Sequence, residues 1–270
     1  MKSIMSSNLN ILTIELDIAR ADRNANLEAL DHALRLMPPS TDLVVLPEMF
    51  STGFIMDAES AQQLAEWNSG DTMRHLHHIA KHTGAAIAGS YIARTASRIY
   101  NRAFFIEPDG TETFYDKRHL FSMGGETATF TPGNAPAPVV RYRGWNIKLA
   151  VCYDLRFPAW CRSSSATPYD LLLVVANWPK ARQSAWHTLL AARAIENESY
   201  VCGVNRRGID STDGIDYASD SSSIIDFKGK PAETSRHEHL QFASLSLEAL
   251  RNFRDKFPAW KDADSFSIEL

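Results

Sequence analysis

Residues 147–158 read IKLAVCYDLRFP, and the end of this stretch decides how the rest of the chain is interpreted. Ile147, Leu149, Ala150 and Val151 form a short apolar run of the kind that makes a buried strand, and the run stops at Cys152. Asp154, Arg156 and Pro158 follow at once. A thiol in that place is core filling, a metal ligand, half of a disulfide or a nucleophile. The chain holds three cysteines, Cys152, Cys161 and Cys202, an odd number without a C-x-x-C pair. That pattern suggests neither a disulfide framework nor a structural zinc site. Packing and nucleophilic chemistry remain.

Working outward, apolar runs alternate with helical periodicity. LNILTIEL (9–16) reads as a strand, and Leu27, Leu30, Leu34 and Met37 then fall at roughly helical spacing before Pro38-Pro39 stops them. DLVVLPE (42–48) is a short, fully apolar strand ending at Pro47, and TMRHLHHIAKHTG (72–84) is a helix closed by Gly84. AAIAGSYIA (85–93) is again strand-like. Pro108-Asp109-Gly110 supplies turn chemistry between the aromatic-rich arms of YNRAFFIEPDGTETFYDK (100–117), and Arg143-Gly144 does the same just before IKLAVC. Further on, YDLLLVVANWP (169–179) and SYVCGVN (199–205) read as strands around the strong helix SAWHTLLAARAIENE (184–198), and DSSSIIDFKGKP (220–231) as a strand and turn. Interleaving of this kind without a Gly/Ser linker predicts an α/β domain over residues 1–247. The hairpins make its sheets mixed, and residues 248–270 form a helical, polar C-terminal extension.

The chain has 270 residues, 44% of them hydrophobic and 22% charged, enough to bury a large core. A net charge of -4 and the lack of a Lys/Arg block point away from nucleic acid and membrane surfaces, toward small molecules or another subunit. The broken apolar run after Lys2, interrupted by Glu15 and Asp17, is neither a secretory leader nor a spanning segment, so a cytoplasmic location is expected.

Three apolar runs end alike: LVVL runs into Pro47-Glu48, KLAV into Cys152-Tyr153-Asp154, and LLLVVA into Asn177-Trp178-Pro179. Functional groups of α/β sheets collect at the carboxyl ends of strands, so a common pocket is expected. Lys117 follows a hairpin arm in YDKRHLF, and Glu126 comes after a glycine turn. A thiol of pKa about 8.5 is mostly protonated at neutral pH and needs a nearby base or cation, and Glu48 could be that base. Attack on an amide carbonyl creates an oxyanion that needs fixed donors, and Lys117 with the Tyr153 N–H could supply them.

LVVLPEMFSTGF (43–54), YDKRHLF (115–121) and LAVCYDLRFPAW (149–160) resemble, in this order, the Glu, Lys and Cys motifs of the nitrilase, or carbon-nitrogen hydrolase, superfamily. The likeness runs on through VANWP and ARAIENESYVCGVNR to the tail KFPAWKDAD. Within that superfamily DKRHLF, CYDLRFP, ANWP and FPAW look most like bacterial omega-amidases, which hydrolyse the terminal amide of 2-oxoglutaramate and 2-oxosuccinamate. The resemblance implies an αββα sandwich that pairs with a second subunit into a four-layer dimer. It implies Cys152 as nucleophile, Glu48 as general base, Lys117 as oxyanion stabiliser and Glu126 as a second, positioning glutamate. A thioester pathway of this kind uses no metal and no organic cofactor. N-carbamoyl-amine hydrolases and aliphatic amidases of the same superfamily are the alternatives, and a catalytically idle, dimeric interaction protein is a third.

Other residues have plainer readings. Cys161 and Cys202 lack a partnered motif and are expected in the core. Tyr153 and Trp178 are candidate pocket walls. Arg156 either binds a substrate carboxylate or braces Asp154, with the bracing role favoured. His75, His77, His78 and His82 crowd one helix, but without an H-E-x-x-H pattern they read as a solvated face. Phe253, Phe257, Trp260 and Phe266 offer apolar anchors for a subunit boundary.

Overall fold

A computed structural model describes residues 8–164 and 167–270. In chain order the strands are β1 (Asn8–Ile14), β2 (Leu43–Val45), β3 (Ala86–Arg94), β4 (Ile99–Ile106), β5 (Glu112–Asp116), β6 (Val139–Tyr142), β7 (Trp145–Val151), β8 (Leu171–Ala176), β9 (Tyr200–Asn205), β10 (Gly208–Ile209), β11 (Asp216–Tyr217), β12 (Ser223–Ile225), β13 (Ser235–His237) and β14 (Leu240–Ser246). The first sheet has the order β13-β14-β1-β2-β3-β4-β5 and the second β12-β9-β8-β7-β6, while β10 and β11 form a small hairpin. Each large sheet has a parallel trio at its centre, β1-β2-β3 and β7-β8-β9, with antiparallel strands outside it. Both are therefore mixed, as the hairpin signals predict.

Strand alternation builds the layers. Leu9, Ile11, Val45, Ala88 and Phe105 of the first sheet meet Ile147, Leu149, Val151, Leu173 and Cys202 of the second in one buried cluster. The opposite face of the first sheet, with Leu12, Val44, Ile87 and Phe104, packs on Leu30 of α1 (Arg23–Leu34) and on Met73, Leu76 and Ile79. The helices between these and the second sheet's cover are α2 (Ala58–Leu64), α3 (Asp71–Thr83), which carries those last three residues, α4 (Glu126–Thr129) and α5 (Pro158–Cys161). The outer face of the second sheet, with Ala150, Leu172, Val174 and Val201, packs on Trp186, Leu190 and Ala194 of α6 (Gln183–Asn197). The result is an αββα sandwich. Gly203 makes the last contact possible, since a Cβ there would lie 2.5 Å from the Leu190 side chain. Arg143 and Gly144, with φ of 50° and 83°, form the left-handed pair that a two-residue β6–β7 hairpin requires.

β14 is a seven-residue strand that sequence patterning does not reveal. It pairs with β1 along seven residues, and it sends Leu240 to one core and Ala243 and Leu245 to the other. A strand buried on both faces loses clean alternation, and Gln241, Ser244 and Ser246 mask what is left. From its end α7 (Leu247–Lys256) starts on the Ser246 side-chain cap and places Leu247 and Leu250 in the inter-sheet core. Arg254 ties it down with bonds to Asp170 Oδ1 and Tyr169 O, both 2.7 Å. Among the described residues no helix is long and apolar enough to cross a membrane. On α3, His75 and His77 face Asp31 and Glu112 at 2.8 and 2.5 Å.

Candidate active site

The parallel trios bring the carboxyl ends of β2, β7 and β8 to one rim of the sandwich. Glu48 lies three residues past β2, Cys152 directly follows β7, Asn177 directly follows β8, and Lys117 directly follows β5. Lys117 Nζ lies 2.9 Å from Glu48 Oε1 and 2.8 Å from Glu126 Oε2, and all three side chains have no exposed surface. Asn101 of β4 closes the group, its amide donating to Glu48 Oε1 at 2.7 Å and to Glu126 Oε1 at 3.1 Å. The Asn177 N–H donates to Glu48 Oε2 at 2.8 Å, and the Asn177 side chain to the Glu48 carbonyl at 3.0 Å. The Phe121 N–H donates to Glu126 Oε2 at 2.6 Å, fixing the loop between Lys117 and α4.

Burial on its own would push the Lys117 ammonium down, but Glu126 and Glu48 more than offset it, so the lysine stays charged beyond its ordinary range. An ammonium has three protons to donate. Here Nζ donates to Glu48 Oε1 at 2.9 Å and to both Glu126 oxygens, at 3.0 and 2.8 Å, so the two-oxygen grip of Glu126 is what can yield an N–H to another oxygen.

Cys152 sits at φ 45°, left-handed backbone that a residue with a side chain rarely adopts. Such geometry costs about 1–3 kcal/mol and persists only where the surroundings impose it. Asp154 does so here. Its buried carboxylate accepts from the Val151 N–H at 3.0 Å, the His119 N–H at 3.0 Å and the Tyr115 hydroxyl at 2.8 Å, and it faces His119 Nδ1 at 2.8 Å. Trp160 Nε1 donates in turn to the Tyr115 hydroxyl at 2.9 Å. The turn after β7 is thus tied to the lysine loop. Burial pushes the Cys152 thiol well above its ordinary value, the Glu48 carboxylate beside it adds to the rise, and Lys117 opposes it. The resting group is a neutral thiol within reach of a carboxylate base.

The structure therefore brings Glu48, Lys117, Glu126 and Cys152 together. Tyr153 and Trp178 line the same region: the Tyr153 ring lies 5.2 Å from both Phe121 and Phe157, and Trp178 packs 5.3 Å from Trp186. The expected bracing of Asp154 by Arg156 is not found. Arg156 is exposed, with its guanidinium 4.9 Å from the Trp178 ring centroid, because main-chain and aromatic donors already fill the Asp154 carboxylate. Cys161 and Cys202 are fully buried, as expected. Asn101 is the residue that motif reading misses. Alternation along β4 carried a signal for it, since Asn101, Ala103 and Phe105 share a face, and a polar residue there is buried between the sheets.

The buried acids also set an alkaline limit to stability. Burial raises Cys161 to about 12 and raises Cys202, Tyr115 and Tyr169 as well. The folded chain then keeps protons that the unfolded chain releases, thiols from about pH 8.5 and tyrosines from about pH 10. Their contribution is complete below about pH 8.5 and is lost as pH rises toward the folded values. Melting temperature is expected to hold from pH 7 to about 8.5 and then fall, with a shallower fall in Cys202→Ala. A level profile to pH 10.5 would contradict this.

Fold and site together define a cysteine-dependent hydrolase of αββα architecture. The chain belongs to the carbon-nitrogen hydrolase family, whose model matches residues 11–255. It is 44% identical to omega-amidase YafV of Escherichia coli K12 over 262 residues, covering 96% of this chain and 98% of that one. It is 30% identical to 2-oxoglutaramate amidase of Bacillus subtilis, covering 93% and 96%. A crystal structure of a CN-hydrolase superfamily protein from Xanthomonas campestris, with an arsenic adduct in its active site, superposes with a TM-score of 0.91 at 39% identity, covering 97% and 99%.

Proposed function

We propose that this chain is an omega-amidase that hydrolyses the terminal amide of 2-oxoglutaramate and 2-oxosuccinamate to the dicarboxylate and ammonia. The observation that carries the reading is the buried Glu48–Lys117–Glu126 chain beside the strained Cys152 turn, in a chain akin to omega-amidases along its length. Glu48 takes the thiol proton as Cys152 Sγ attacks the amide carbon. The oxyanion gathers against the Tyr153 N–H and a Lys117 N–H that turns to it from one of the two Glu126 oxygens. Glu48 returns the proton to nitrogen, the C–N bond breaks, ammonia leaves and a thioester remains. Water gives a proton to Glu48 and attacks the thioester; the C–S bond breaks, Cys152 regains its proton and the acid departs. Glu126 and Asn101 hold Lys117 and Glu48 in place throughout. Tyr153 and Trp178 wall the substrate, and Arg156, free of any protein carboxylate among the described residues, meets its carboxylate.

The test is ammonia release from 2-oxoglutaramate, 2-oxosuccinamate, an N-carbamoyl amine and a simple aliphatic amide, with carbon dioxide assayed alongside. Preference for the 2-oxo-acid amides is expected. Carbon dioxide with ammonia from the carbamoyl substrate as the main activity would replace this reading with carbamoyl hydrolysis.

The functional unit is a homodimer in the cytoplasm. Phe257, Trp260 and Phe266 are 60%, 49% and 51% exposed on the tail beyond α7, an apolar surface of the kind a partner subunit covers. Three free thiols suit a reducing compartment. A monomer by light scattering at micromolar concentration would refute the dimer.

A further inference from the structure

We infer that Arg182 is a specificity-determining residue that, with Arg156, reads the carboxylate end of the substrate. The inference rests on the omega-amidase reading and adds a residue to it. Cations around the site divide into two kinds. Lys117 is held by two carboxylates, Lys180 pairs with Asp216 at 2.9 Å, and Arg118 donates to the Gly133 carbonyl at 3.0 Å. Arg156 and Arg182 instead stack on aromatic rings, with no carboxylate partner among the described residues.

Arg182 is anchored at both ends. Its carbonyl accepts from Trp178 Nε1 at 2.8 Å, and its guanidinium lies 5.2 Å from the Phe121 ring centroid. Those two rings belong to the site. The Phe121 N–H holds Glu126, the Phe121 ring packs edge-on to Tyr153 next to the nucleophile, and Trp178 carries Arg156 on its face. Two guanidinium groups are therefore set on aromatic rings, Arg182 on Phe121 and Arg156 on Trp178, and the Trp178 side chain touches both arginines. Stacking on a ring orients a guanidinium while leaving its N–H edge free. A 2-oxo acid presents a carboxylate next to a carbonyl, one planar set of acceptors. Two donor forks meet that set from two sides, and a neutral amide offers them nothing.

The experiment compares kcat/KM for 2-oxoglutaramate and for pentanamide, a neutral amide of equal chain length, in wild type, Arg182→Gln and Arg182→Lys. The acid-to-neutral ratio is expected to fall about 10- to 100-fold in Arg182→Gln, through KM, the loss of a charge-assisted hydrogen bond, with partial recovery in Arg182→Lys. Independently of turnover, protection of Cys152 from iodoacetamide by 2-oxoglutarate is expected to need correspondingly more 2-oxoglutarate in Arg182→Gln. An equal loss on both amides, or unchanged protection, overturns the Arg182 assignment alone. A wild type inert toward 2-oxoglutaramate but active on pentanamide overturns the omega-amidase reading beneath it.

Discussion

Cys152→Ala is expected to lower ammonia release from 2-oxoglutaramate by at least about 10⁴-fold, because the pathway through a thioester has no other nucleophile to begin it. The fold should survive. Ala tolerates φ 45° no worse than Cys, Asp154 still gathers the turn through Val151, His119 and Tyr115, and the Glu48–Lys117–Glu126 chain has all its partners without the thiol. Stability is therefore expected within about 1 kcal/mol of wild type. Iodoacetamide provides a second measurement. In wild type it should modify Cys152 well before the fully buried Cys161 and Cys202, and Glu48→Gln should slow that modification, since the neutral thiol needs its base. Turnover by Cys152→Ala within tenfold of wild type would remove the thioester mechanism. Uniformly slow labelling would instead favour an idle member of the family.

How much of the fold and site the sequence makes legible depends on the type of signal each residue leaves. Glu48, Lys117 and Cys152 stand where apolar or aromatic strands stop, and a strand buried on both faces advertises its end because a polar residue interrupts an unbroken run. That the ends converge is a property of two sheets packed face to face. No local pattern carries it; the expectation of a common pocket comes from the general rule for the carboxyl ends of α/β strands, and the family resemblance adds the role of each residue. Asn101 left a fainter mark, a parity on β4 that matters only once the inward face is known. Sequence proximity makes Arg156 the expected partner of Asp154, whereas its donors come from residues 115, 119 and 151, two of which lie far off in the chain. β14 was hidden for a related reason, since Gln241 and the serines break the pattern of a strand whose pairing partner lies at the other end of the chain. Long-range partners, in each case, are what composition and spacing do not encode.

Lys117→Met is expected to be the most damaging change that leaves the nucleophile intact, because it removes the cation that lies between two carboxylates with no exposed surface. Breaking a buried ion pair by deleting one partner costs about 3–5 kcal/mol, since the remaining charge has neither water nor a counter-ion. Here two charges are left, sharing the Asn101 amide. Chemical denaturation should therefore show a loss at the upper end of that range, and activity should fall at least about 10³-fold with the oxyanion donor gone. Folding and chemistry separate in Lys117→Met/Glu126→Gln. Removing the Glu126 charge relieves the repulsion and should restore a large part of the lost stability, while turnover stays at the level of the single variant. A single variant as stable as wild type would mean that the carboxylates are solvated and the triad is not the buried unit drawn here. A double variant that recovered activity along with stability would show that Lys117 serves the fold alone, leaving the oxyanion to the Tyr153 N–H.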